Sequence, residues 1–413
     1  MTIKHRLVVM NFLQLFVWGS WLISLGGYMI VTLKFTGGQV GSIYATMGIA
    51  SLFMPAVLGM VADRWVNAER VLGACHLVGA ASLLMASTVT DFGSMYFLML
   101  LNAMAYMPSI ALNAAVSYTV LEKHGNNIIT DFPPIRVWGT IGFIAAMWTV
   151  DLLGWTISHL QFYVGAAAAA LLGVYAFTMP ACPPAKAQRS GSLVSTLGLD
   201  ALVLFKQRKM LVFFLFSMML GAAPQIGASF GQPFLYDFTT LYPDSFAVNH
   251  PGLLMSVSQI SETLFILTIP FFLLRFGIKK VMLMSAFAWA LRFAFFGIGN
   301  PGGGLIFLVL SMIVYGMAFD FFIISGSLFV KSEAPGNMVA SAQGLFMLMT
   351  NGAGAFVGGM VSGVVVDYFT AAGVKDWPGI WFTFASYSLV LGLALAFVFD
   401  YKHDANKLKA ISH

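Results

Sequence analysis

Charge is what this chain has least of. Asp, Glu, Lys and Arg make up 9% of its 413 residues, against about a quarter in an ordinary soluble protein. With 59% hydrophobic residues and a mean hydropathy of +0.86, almost nothing is left over for a soluble domain. Cysteine is nearly missing as well. Cys75 falls in an expected span and Cys182 in an expected cytoplasmic loop, so neither a disulfide nor a metal site is expected. The seven His are dispersed, and His76 alone lies clearly within a span. There is no Gly-rich phosphate loop and no nucleophile elbow, which argues against an enzyme and implies no cofactor. The formal charge of +5 comes from basic residues scattered singly between apolar runs, as juxtamembrane charges are, and does not point to nucleic acid. What the chain has instead is Phe (38), Met (25) and Gly (41), which suit adaptable and close helix packing in lipid. The reading is an all-α polytopic membrane protein.

A helix needs about 20 apolar residues to cross a bilayer. Spans are expected at 8–30, 40–62, 71–90, 95–120, 134–153 and 161–179, then at 210–236, 252–275, 280–298, 304–328, 342–367 and 378–400. Residues 7–33 are long enough to span and lack a clear small-residue cleavage site, so the first helix is expected to serve as the targeting signal. The longest polar connection is PACPPAKAQRSGSLVSTLGLDALVLFKQRK, residues 180–209. Its Pro-rich start reads as a linker, and its second part as an amphipathic helix on the membrane surface. The plan is a six-helix half at 1–179, a cytoplasmic linker at 180–209, a second half at 210–400 and a tail at 401–413. With a cytoplasmic N-terminus, all but Lys34, Lys375, Arg136 and Arg292 of the 21 Lys and Arg residues fall on the cytoplasmic side. That asymmetry places both termini in the cytoplasm.

Two carboxylates interrupt the apolar runs. Glu262 lies in PGLLMSVSQISETLFILTIPFFLL and Asp320 in LIFLVLSMIVYGMAFDFFIISGSLFV. An ionised carboxylate costs at least about 2.5 kcal/mol at mid-membrane, so such residues face a bundle interior or a wet cavity, and their titration makes them candidate proton carriers. Other polar residues outline the same interior. Gln14, Trp18 and Trp21 share a face of span 1, where Trp18 either stacks on a flat ligand or simply packs. Asn102, Ser109, Asn113 and Ser117 in span 4 read as interhelical hydrogen bonding. Arg136, Thr140 and Phe143 form one stripe on span 5, behind two prolines at its start. In span 7, GAAPQIGASFGQPF predicts a kinked or broken helix with Gln225 at the break, a common mark of transporter sites. Gln259 sits one turn before Glu262. Tyr315 and Phe319 share a face of span 10, beside the face of Gly316 and Asp320. Arg292 reads by default as structural, and is also the candidate counter-ion for Glu262 or Asp320.

Six plus six spans around a basic loop is the plan of the major facilitator superfamily. GMVADRWVNAER, with Gly59, Asp63, Arg64 and Arg70, resembles that superfamily's loop motif, and LLRFGIKK at 273–280 keeps its basic residues without the acid. The motif is expected to act as a charged latch between helix ends, the plainer alternative being ordinary flanking charge. Five longer segments resemble the bacterial nucleoside–proton symporters of that superfamily. They are NFLQLFVWGSWLISLGGYM, DFPPIRVWGTIGF, SVSQISETLFILTIPFFL, SMIVYGMAFDFF and SAQGLFMLMTNGAG.

The resemblance implies a carrier of the inner membrane that couples nucleoside uptake to proton entry by alternating access, with no obligate protein partner. It implies a substrate site at Arg136, Thr140, Phe143, Gln225, Gln259, Glu262, Tyr315, Phe319 and Asp320. Asp320 is expected to carry the proton, and Glu262 chiefly to bind substrate. The chain departs from the family at Ala228 and Ile323, where amides are expected one turn from Gln225 and Asp320. Both changes bear on which nucleoside, or less polar analogue, is preferred. A proton symporter of another small polar solute such as a sugar, and a non-transporting receptor on the same scaffold, are the alternatives. Competition by nucleosides and transport by reconstituted vesicles separate them.

Overall fold

The computed structural model describes residues 2–184 and 199–401, and nearly all of them are helical. In chain order, α1 is Ile3–Gly19, α2 Gly37–Arg64, α3 Ala68–Ala86, α4 Phe92–Lys123, α5 Ile128–Leu152 and α6 Leu160–Phe177. Next come α7, Arg208–Tyr236, and a 48-residue run, Pro251–Ile298, that turns at Gly277. We label its parts α8 (251–276) and α9 (278–298). Leu305–Glu333 is α10, Val339–Tyr368 is α11 and Trp377–Val398 is α12. Ten of the described helices are long and apolar enough to cross a membrane. Dividing the 48-residue run and adding α1 with its broken continuation makes twelve spans. Gly277 has φ 78, a left-handed conformation that a Cβ would strain, so only glycine turns the chain so tightly between α8 and α9.

Contacts divide the chain into two compact units. One is Met1–Ser192 with Ala228–Pro233, and the other is Leu193–Gly227 with Phe234–His413.

In the first unit, small residues let helix backbones touch. A Cβ on Gly19 would lie 2.4 Å from the Phe143 carbonyl oxygen, and one on Gly142 would lie 2.2 Å from that of Phe12. Glycine therefore sets the α1–α5 crossing, as small residues do where lipid supplies no hydrophobic drive. The first span is not one continuous helix. After Gly19 the chain makes a turn, a short helix at Leu25–Gly27 and a π turn at Tyr28–Thr32. Side chains take over the freed backbone groups: the Tyr44 hydroxyl accepts from Gly26 N (3.1 Å) and donates to Leu22 O (2.5 Å). Span 5 starts earlier than expected, at Ile128, so Pro133 and Pro134 lie in its second turn. Asp131 anchors this extension, accepting from Asn127 N at 3.1 Å and pairing with Lys4 at 2.7 Å. Thr36 and Gln39 form a reciprocal cap on α2. Asp91 caps α4, and the Ser94 backbone N–H that it accepts, together with the Ser94 side chain, holds its carboxyl below the usual range.

The end of this unit where α3 starts is clasped by a residue that the sequence reading passes over. Glu69 is buried at the start of α3, where its Oε2 accepts from Cys182 N at 2.7 Å and its Oε1 from Asn67 Nδ2 at 2.9 Å. Ala68 N donates to Cys182 O and Lys123 Nζ to Ala181 O, so the segment leaving α6 is pinned at several points. Burial, and secondarily the Glu69 charge, push the Cys182 thiol up to about 11.

The second unit is built the same way. Cβ atoms on Gly221, Gly354 and Gly358 would fall within 2.5 Å of backbone oxygens of Thr350, Met218 and Ala222, so α7 and α11 lie backbone to backbone. Both are irregular where they meet. The first stretch of α7 ends at Gly221, just before Pro224, and α11 carries a π turn at Leu348–Gly354. Lys209 at the start of α7 pairs with Glu333 at the end of α10 at 2.6 Å and lies over the Tyr401 ring. Between α11 and α12 is a two-stranded hairpin, Thr370–Ala371 with Val374–Lys375, that the sequence reading does not anticipate. Of the expected linker, residues 185–198 lie outside the described residues. Leu199–Lys206 form a 3-10 helix with Ala201 and Leu204 buried and Leu202 and Val203 exposed.

Candidate functional site

In the first unit, Phe143 is buried, Thr140 half-buried and Arg136 exposed on one stripe of α5. Arg136 folds back along its own helix, its Nη1 within 3.1 Å of where a Cβ on Gly139 would sit. Phe143 meets the edge of Trp18 at 6.1 Å, and Trp18 in turn lies 5.5 Å from the Tyr106 ring. The Trp18 Nε1 is buried without a hydrogen-bond partner among the described residues.

A polar chain supports these rings from behind. Gln14 donates to Ser109 Oγ at 2.8 Å, its Oε1 lies 2.8 Å from His76 Nε2, and its backbone oxygen accepts from the Tyr106 hydroxyl at 2.7 Å. One turn away, Asn11 donates to Ser117, and Asn113 donates to Asn11. The span 4 polar residues therefore serve interhelical hydrogen bonding, as expected, and His76 joins the same network. Gln14 is its hub, and Tyr106, which the sequence reading misses, joins it to the rings. The signal for Tyr106 was its place three residues before Ser109.

The second unit gathers the rest of the expected residues that lie in it. A Cβ on Gly316 would lie 2.6 Å from the Ser261 carbonyl and 2.8 Å from Glu262 N, and the Ser261 hydroxyl donates to Ile313 O. The backbones of α8 and α10 thus touch beside Glu262, and Asp320 follows Gly316 by one turn on that face. Glu262 is half-buried. Asp320 is only 4% exposed, and its Oδ2 has no hydrogen-bond partner among the described residues. Glu262 lies within electrostatic reach of Asp320, and both lie within reach of Tyr315. Tyr315 and Phe319 stack with centroids 5.8 Å apart and planes 10° from parallel. Gln225 is half-buried just past the interruption of α7, and Ile323 is half-buried one turn beyond Phe319.

The counter-ion expectation for Arg292 is not met. Its Nη1 donates to Ser258 Oγ (3.3 Å) and Ser311 O (3.0 Å), rather than to a carboxylate. A guanidinium surrounded by rings needs less than full ion pairing, because cation–π contact and carbonyl acceptors share the work.

Of the expected latch residues, Asp63, Arg64 and Arg70 are exposed, and nothing lies within 4 Å of a Cβ placed on Gly59. Arg70 Nε is 4.0 Å from Glu69. Beside them, Glu69 is the acid that holds the segment after α6.

With this geometry in place, comparison with known proteins is decisive. The model of the family described as "Nucleoside H+ symporter" matches residues 1–404. The chain belongs to the nucleoside H+ symporter family. This symporter is 56% identical to the xanthosine permease of Escherichia coli (strain K12), over 100% of both chains. It is 53% identical to nucleoside permease NupG of the same organism, covering 98% of this chain and 97% of that one. A solved structure of nucleoside transporter NupG matches with a TM-score of 0.95 at 52% identity, covering 97% of this chain and all of the other. The fold is that of the major facilitator superfamily, the chain is a multi-pass membrane transporter, and it is not an enzyme.

Proposed function

We propose that this symporter imports nucleosides with protons across the bacterial inner membrane by alternating access, with residues 1–179 and 210–400 as the alternating halves and both termini in the cytoplasm. Substrate contacts are assigned to Arg136, Thr140 and Phe143 in the first unit, and to Gln225, Gln259, Glu262, Tyr315, Phe319 and Asp320 in the second. The flat base stacks on an aromatic face, for which Phe143 and the Tyr315–Phe319 pair are suited. Ribose hydroxyls and base edges exchange hydrogen bonds with the Gln259 amide and the Glu262 carboxylate, which together offer donors and acceptors. Gly59, Asp63, Arg64 and Arg70 are assigned to a charged latch.

The observation that carries the reading is Asp320. A buried carboxylate oxygen without a hydrogen bond is costly as an anion, and a proton removes that cost. Glu262, half-buried and beside Gln259, is the better substrate ligand. Uptake by proteoliposomes under an imposed pH gradient tests the assignment. Asp320→Asn should keep uridine exchange between equal concentrations and lose accumulation against a gradient. Full accumulation by that variant would remove Asp320 from the proton pathway.

A further inference from the structure

Arg292 is the residue that the proposed function leaves unused. It is a permanently charged side chain, 3% exposed, in the middle of α9. Its hydrogen bonds to Ser258 on α8 and Ser311 on α10 are joined by a bond from the Ser311 hydroxyl to its own backbone oxygen, 3.0 Å long. Three rings surround the guanidinium: Tyr315 at 4.5 Å, Phe296 at 5.4 Å and Trp289 at 5.9 Å. The fourth side is glycine. A Cβ on Gly227 of α7 would lie 3.3 Å from Nη2 and 3.8 Å from Nε. One side chain thus joins α7, α8, α9 and α10.

Burying a charge among neutral groups is a poor way to gain stability, since apolar residues of similar volume usually do as well. What the charge does hold is Tyr315. That ring is fixed by Arg292, by the edge of Trp289 at 5.7 Å and by the parallel Phe319 ring. We propose that Arg292 is a positioning residue for substrate binding: its planar fork, braced by Ser258 and Ser311, orients Tyr315 toward the nucleoside, and residue 227 is glycine to leave that fork its place. This rests on the reading that Tyr315 contacts substrate.

A lysine keeps the charge, and its ammonium can meet the two serines that Nη1 meets, but it has no planar face to lay over the Tyr315 ring at the same time. Arg292→Lys is therefore the informative variant, and Gly227→Ala disturbs the same contact without changing Arg292. The readouts are uridine affinity of the purified protein and the KM and maximal rate of uridine uptake, with thermal unfolding of the ligand-free protein alongside. Arg292→Lys should raise Kd and KM about tenfold with the maximal rate within about twofold. Gly227→Ala should act in the same direction by about threefold, since the fork has to shift only a few tenths of an ångström. The double variant should be no worse than Arg292→Lys alone. Unchanged affinity in both variants, or a loss of thermal stability alone, would overturn the proposal. Tyr315→Ala separates the two layers. If it leaves uridine affinity intact, the substrate role of Tyr315 fails. If it weakens binding while Arg292→Lys and Gly227→Ala do not, only the positioning role fails.

Discussion

Gly316→Ala is a sharp test of how the two acids are held. The α8 and α10 backbones meet at this residue, where a Cβ would lie 2.6 Å from the Ser261 carbonyl and 2.8 Å from Glu262 N. Ordinary van der Waals contact begins near 3.4 Å, so the helices must part by about 0.8 Å over that turn. Both groups are backbone, and no side chain can swing away to absorb the methyl. Overpacking of this kind costs about 1–3 kcal/mol. It also moves Glu262 away from the Asp320 face and loosens the hydrogen bond from the Ser261 hydroxyl to Ile313 O. The expected result is a clear fall in thermal stability together with loss of proton-driven uptake, while uridine exchange is less affected. Gly344→Ala is the control. Nothing lies within 4 Å of its added Cβ, and in a helix the change should be neutral or gain about 0.5–1 kcal/mol. If Gly316→Ala is as stable and as well coupled as the parent while Gly344→Ala behaves the same way, the α8–α10 contact does not set the geometry of the acids.

Two other outcomes are expected. In a Cys75→Ser background, Glu69→Ala should free the segment that carries Cys182 and make that thiol react with a maleimide at pH 7. With Glu69 in place, the buried thiol, pushed up to about 11, should stay unlabelled over the same time; equal labelling with and without Glu69 would show that the clasp does not shield it. Ala372 sits at φ 50 beside Gly373 at φ 81 in the α11–α12 hairpin, a pair of positive angles that Asn-Gly adopts readily. Ala372→Asn should therefore stabilise the protein by about 1 kcal/mol without changing transport, as read by thermal unfolding.

Twelve crossings are legible in the chain because lipid forbids unpaired backbone, so each apolar run of sufficient length is a helix. The polar positions inside them are legible for the same reason. Asp320, Glu262, Gln259, Tyr315 and Phe319 could be singled out by type and spacing alone. The breaks are harder to see. Pro224 marks the interruption of α7, but composition carries neither the π turn at 28–32 nor the one at 348–354, which lies where backbones press together at Gly221 and Gly354. Glu69 looks like a flanking charge until the returning segment at Cys182 is placed beside it. Arg292 looks like a counter-ion because charge complementarity is the simplest guess, whereas its partners are a serine hydroxyl from α8, a carbonyl from α10 and three aromatic faces, two of them on its own helix.

The central claim is that nucleoside and proton move together, with Asp320 as the proton carrier. Adding uridine to proteoliposomes in weakly buffered medium, with no imposed gradient, should make the outside transiently alkaline in step with uridine entry. Asp320→Asn should abolish that signal while still exchanging uridine. Uridine entry with no pH change in the parent protein, or an undiminished pH change in the variant, would contradict the account.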